Sequence, residues 1–136
     1  GGADIAIAHS GGLAVTGAVA ASGAIGYAAG AGGAVTQATS KSTGVTIDKL
    51  CGQITTNAAA LAAGAAVSFT VSNNQVAATD AVSLVLASGN AAAGTYSYQV
   101  DKVSAGSFAI SIKNISAGSL SEALLFNFSI NKAVNA

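Results

Sequence analysis

The chain has 136 residues, enough for one domain with an extension. Only 7% of its residues are charged, against an ordinary share of roughly 25%. Five lysines, no arginine and five acids balance to a formal charge of zero, so no basic stripe points to nucleic acid or to an anionic membrane surface as a partner.

Hydrophobic residues make up 51% of the chain, and alanine dominates them. The uninterrupted apolar runs fall far short of the roughly 20 residues that a spanning helix needs. No basic segment precedes a compact apolar run, so no signal peptide is expected. A chain that starts at glycine and holds no methionine fits a small gene product whose initiator methionine has been clipped.

Residues 1–33 hold ten of the seventeen glycines. Glycine recurs too often there for a stable helix, and it weakens strand pairing as well. The segment reads as a pliable arm carrying short apolar anchors: Ile5 and Ile7, then Leu13 and Val15, then Ile25 and Tyr27. Each pair is two residues apart and shares one face of an extended chain. These six are the expected assembly residues of an arm that orders only against a neighbouring subunit. His9 stands beside Ser10 among glycines, without the scaffold that a catalytic dyad needs.

From residue 34 to residue 136 the character changes, and apolar and polar residues alternate. "GVTIDKL" sets Val45 and Ile47 on one face, and "AAVSFTVSN" does the same for Val67, Phe69 and Val71. "DAVSLVLAS" aligns Val82, Leu84 and Leu86, and "GTYSYQV" aligns Tyr96, Tyr98 and Val100. "GSFAISIKN" pairs Phe108, Ile110 and Ile112, and "EALLFNFSIN" gives Leu124, Phe126, Phe128 and Ile130. Period two over about seven short segments predicts an all-β domain, an antiparallel β-sandwich with a jelly-roll-like order. Asp101 and Lys102 are expected in a hairpin connection, and "NAAALAAGA" (57–65) as a short helical turn or a loop. "SAGSF" at Ser104 and "SAGSL" at Ser116, with a looser echo at Leu61, predict reuse of one glycine turn.

The residues offer no reaction centre. Cys51 is the single cysteine, expected as a small strand residue rather than a reactive thiol. Asp4, Asp48, Asp80, Asp101 and Glu122 are scattered and read as solvated loop acids, not as a glycosidase pair. "GYAAGAGG" lacks the lysine and hydroxyl residue of a phosphate loop. One histidine, one cysteine and unclustered carboxylates build no usual metal site. No cofactor and no enzymatic activity are expected. Tyr27, Tyr96 and Tyr98 would be the first candidates for a sugar-stacking platform, although Tyr96 and Tyr98 have the spacing of a sheet face.

"SKSTGVT", "CGQIT", "VAATD" and "SAGSLSEA", with the strands between them, resemble a group of small structural proteins of tailed bacteriophages and prophages. The resemblance covers roughly residues 34–136. It implies a virion protein, a capsid decoration or cement protein on the outside of the phage head, made in the bacterial host cytoplasm. The implied partners are the phage major capsid protein and two further copies in a homotrimer. A head-fibre or tail-fibre module that binds a receptor or host glycan is the alternative.

Overall fold

The computed structural model describes residues 11–135. Among them there is no helix. Eight strands follow in chain order: β1 (Gly32–Thr36), β2 (Val45–Thr46), β3 (Cys51–Thr55), β4 (Ala66–Ser72), β5 (Ala81–Ser88), β6 (Tyr96–Ser104), β7 (Ser107–Asn114) and β8 (Leu125–Asn131). They form two four-stranded sheets, ordered β1-β3-β8-β5 and β2-β4-β7-β6.

Both sheets are mixed. β1 lies parallel to β3 and β2 parallel to β4, whereas the other neighbours are antiparallel. The expectation of purely antiparallel pairing is corrected on this point. The chain leaves one sheet, runs through the other and returns in its original direction, so β3 meets β1 head to head. A parallel pair needs such a crossover, which local alternation does not report.

Alternation nevertheless selects the core. Ile54, Phe126, Phe128 and Ile130 of the first sheet share one buried cluster with Phe69, Val71, Phe108, Ile110 and Ile112 of the second. Rings meet across the two sheets: Phe108 packs against Phe128 at 5.6 Å, and Tyr98 meets Phe126 edge-on at 5.2 Å. Both geometries suit the positive edge and negative face of the rings. Val67 and Leu84, expected in the core, are only half-buried.

Two glycines are required by close backbone approach. A Cβ on Gly52 would lie 2.2 Å from the Gly33 carbonyl oxygen, so glycine lets β1 sit against β3. Gly89 has φ +99°, and a Cβ there would lie 2.1 Å from the Ala123 carbonyl oxygen. It turns the chain out of β5, just beyond the irregularity between Leu86 and Ser88.

Other local expectations change. Asp101 and Lys102 lie inside β6, where the register with β7 shifts between Val100 and Lys102. The hairpin turn comes later, at Ala105 and Gly106, with Gly106 at φ +80°. Of the two readings of residues 57–65, a helical turn or a loop, the loop is the one that forms. Leu61 exchanges both backbone hydrogen bonds with Leu120 and is buried, which outweighs the helix propensity of a few alanines. The repeated glycine turn is only partly reused: Gly64 and Gly106 take positive φ, and Gly118 does not.

Candidate functional site

Four of the expected apolar anchors lie in the glycine-rich N-terminal segment of the described residues. Residues 11–30 are all exposed and contribute no strand. Leu13 is 66% exposed, Val15 50%, Ile25 79% and Tyr27 42%, and Val19 is uncovered at 70%. Ile5, Ile7, Asp4 and His9 lie outside the described residues. β1 takes up Gly32 and Gly33, which the composition alone assigns to the arm.

Two contacts tie down the root. The Tyr27 hydroxyl donates to the Ile130 carbonyl near the end of β8. Lys49 Nζ donates to the Gly30 carbonyl at 3.3 Å. A Cβ on Gly33 would lie 3.0 Å from Lys49 Cγ, so the lysine stem lies across the start of β1. A shallow hollow of about 180 Å³ opens between this root and Asp48, Leu50 and Gln75. Of the four expected anchors among the described residues, Tyr27 is the one that meets the domain through a hydrogen bond.

A buried polar group sits among the loops that adjoin the strand ends. Gln37 Nε2 donates to the carbonyls of Lys41 and Thr43 at 3.0 and 2.8 Å, and Gln37 Oε1 accepts from the Asn57 backbone at 3.0 Å. Lys41 is 3% exposed and donates to the carbonyls of Asn57 and Glu122. Burial holds its ammonium below the ordinary lysine pKa, and the Glu122 charge opposes that shift. Glu122 Oε1 accepts from the Ala91 backbone at 2.6 Å. Its Oε2 and the Tyr96 hydroxyl are both buried without a hydrogen-bond partner. The Tyr96 phenol is pushed above its ordinary value, first by burial and then by the neighbouring Glu122 carboxylate. Burial of the neutral phenol is tolerated far better than burial of a phenolate.

This arrangement ties three loops together through carbonyl oxygens and a fourth through the Ala91 N–H, in the manner of a structural plug. Lys41 Nζ thus spends two of its donors on backbone carbonyls. The expectation that all five acids are solvated is corrected here. Glu122 reaches inward, and Asp80 is 6% exposed. The Asp80 carboxylate takes Lys132 Nζ, the Ala77 backbone at 2.8 Å and the Ala133 backbone at 3.2 Å. Its pKa is held below the ordinary value by the Lys132 hydrogen bond first and the Ala77 N–H next.

Sequence reading also passes over Asn73 and Asn114. Asn114 is fully buried and donates to the carbonyls of Leu61 and Gly118, both at 2.8 Å. Asn73 donates to the Lys49 carbonyl at 2.7 Å and accepts from the Gln75 backbone at 2.8 Å. Each follows or ends an alternating run, which is the one signal that marks it as a loop organiser.

On the outer face of the second sheet, a groove of about 310 Å³ runs over β6 and β7. Asp101, displaced by the β6 irregularity, accepts there from Gln99 and from the Ser111 hydroxyl. Of the aromatic residues expected for sugar stacking, Tyr98 borders this groove, and Tyr27 is exposed in the N-terminal segment. Tyr96 is buried, and Tyr98 is half-buried with its ring against Phe126. Cys51 is half-buried at the start of β3. Among the described residues, no three His, Cys, Asp or Glu side chains gather as a metal site, and no helix is long and apolar enough to cross a membrane.

Compared with known proteins, the chain matches no family model, no curated protein and no solved structure.

Proposed function

We propose that the chain is a structural virion protein, a decoration or cement protein that binds the outside of a phage head and stabilises the shell. Its partners are the major capsid protein and further copies of itself in a homotrimer. The fold that serves this role is a jelly-roll-like sandwich with an extended arm. The chain's repeated crossing between two four-stranded sheets supports that reading.

One observation carries the proposal. A packed β domain holds out an arm whose residues 11–30 are exposed, with large apolar side chains among glycines and alanines. Fixing such a backbone costs on the order of 1–2 kcal/mol per residue, and glycine loses the most freedom. Apolar anchors of this size return about 1.5–3 kcal/mol each when fully buried. A partner that also pairs with the backbone supplies the difference, as in strand addition. The resemblance of residues 34–136 to phage structural proteins points to the assembled phage head, with its shell and the neighbouring copies of this chain, as the setting in which the arm meets that partner. The fibre-module alternative draws no support from Tyr96 and Tyr98, which turn toward the core.

The test is sedimentation of the full chain, and of a chain lacking residues 1–26, with capsids of the encoding phage, followed by imaging of the decorated particle. The full chain should pellet with capsids and the shortened chain should stay in the supernatant with its domain folded. Equal binding by both, or density at a tail fibre, overturns the reading.

A further inference from the structure

The four sheet edges are not equivalent. β2 is only two residues long. β6 is broken by its register shift and carries Asp101 and Lys102. β1 is five residues long, and the Lys49 stem crosses its glycines. Shortness, irregularity and charge are the usual protections of an exposed edge. β5 has none of them over most of its length. It has eight residues, "AVSLVLAS", with no charge and no proline. Its register with β8 is unbroken from Ala81 to Leu86. Val85 is 56% exposed on its outer face, and Val82, Leu84 and Leu86 are only half-buried on the inner one.

The arm has the complementary deficiency. From Ile5 to Ser40 the chain holds no lysine, arginine, aspartate or glutamate. Leu13 and Val15 share one face of an extended chain, and both are exposed. One molecule thus presents an unprotected, charge-free edge and an unpaired, charge-free segment.

We propose that the β5 edge of one copy receives the arm of a second copy, around Leu13–Val19, as an added strand of the first sheet. The proposal rests on the reading of the arm as an assembly element and names its acceptor. Tyr27 is held at Ile130, which pairs with Val82 at the start of β5. The fourteen residue-to-residue steps from Leu13 to Tyr27 span about 46 Å when extended, several times the width of a four-stranded sheet at about 4.8 Å per strand. The arm therefore reaches a neighbouring copy. It does not take the nearby edge of its own chain, because residues 11–30 stay exposed and outside any strand. Donation from each copy to the next is a heterologous contact, which closes into a ring and leaves no free β5 edge. Added main-chain hydrogen bonds hold the donor, and the Leu13–Val15 face covers apolar side chains of β5.

Light scattering of the full chain at micromolar concentration is the primary test, with the Val85→Lys, Ser83→Lys and Leu13→Asp/Val15→Asp variants beside it. The unaltered chain should be a closed oligomer. Each variant should fall to the 12.8 kDa monomer and unfold cooperatively with the midpoint of the monomeric chain that lacks residues 1–26, since assembly itself adds to the midpoint of the unaltered oligomer. Val85 and Ser83 face outward, and the pair guards against a folding defect in either one. In a Cys51→Ala background, chains carrying Leu13→Cys or Val15→Cys and chains carrying Val85→Cys should cross-link to one another on oxidation. A monomeric unaltered chain, an oligomer that survives both lysine variants, or a cross-link formed within a single doubly substituted chain overturns the proposal. Capsid binding is scored separately. Lysine variants that turn monomeric yet still pellet with capsids support the β5 acceptor alone, whereas arm-deleted chains that pellet overturn the assembly role of the arm.

Discussion

Phe108→Ala is the most direct probe of the packing between the two sheets. Phe108 is 1% exposed, and its ring lies 5.6 Å from that of Phe128 on the opposite sheet. Removing a buried phenyl group forfeits its transfer free energy and leaves a cavity, at a cost of about 3–5 kcal/mol. A domain of about 100 residues is stable by about 5–15 kcal/mol and unfolds with an entropy near 0.2 kcal/mol/K. The thermal midpoint should then fall by about 14–24 °C, read by far-UV circular dichroism or calorimetry on a chain without the arm. Ser68→Ala serves as the control. Ser68 lies on β4, beside Ser111 of β7, but faces outward, so its loss should stay within about 0.5 kcal/mol. A drop of less than about 5 °C for Phe108→Ala would refute the reasoning, because it would mean that the ring is not enclosed between the sheets.

Gly89→Ala and Gly94→Ala both place a side chain at positive φ, at a cost of about 1–3 kcal/mol. Only Gly89 adds a collision, with the Ala123 carbonyl, so its denaturant midpoint should fall well below that of Gly94→Ala; equal midpoints would contradict the close approach. Asp80 has a lowered folded pKa, so its stabilisation is present above the ordinary carboxylate value of about 4 and is lost as pH falls through the folded value. Asp80→Asn should flatten the acid limb of a stability–pH profile, and an unchanged slope would count against the Lys132 pairing. The Tyr96 phenol has a raised folded pKa, so its contribution holds below the ordinary value of about 10 and disappears as pH rises through the folded one. Tyr96→Phe should remove that alkaline loss and cost under about 1 kcal/mol at neutral pH, since the hydroxyl has no hydrogen-bond partner. A cost above about 2 kcal/mol would show instead a strong bond to Glu122. Hydrogen exchange on the unassembled chain should find residues 11–27 unprotected, and strong protection in a monomer would place the arm on its own domain.

The strands were legible because burial on one face leaves a period-two trace that needs no partner to be read. Phe69, Val71, Phe108, Ile110, Phe126 and Ile130 were identifiable as core residues on that ground, and all six are buried. The exposure of residues 11–30 was legible from composition, since glycine and alanine in such density cannot form a core. What alternation does not encode is which strand lies beside which. The parallel pairs β1–β3 and β2–β4 follow from crossovers between sheets, a property of the whole path. The half-burial of Val67 and Leu84 was equally out of reach, because a face reads as apolar whether it lies at the centre of a sheet or near its rim. Residues 57–65 had a helix-favouring composition, and the pairing of Leu61 with Leu120, distant in sequence, decided otherwise. The polar group around Lys41, Glu122 and Tyr96 joins residues whose separations range up to 81 positions. Their charges and hydroxyls are visible one by one in the sequence. That Lys41 and Tyr96 are buried while Glu122 turns a carboxylate oxygen inward was decided only when the loops met, because desolvation depends on the atoms that surround a group and not on its neighbours along the chain.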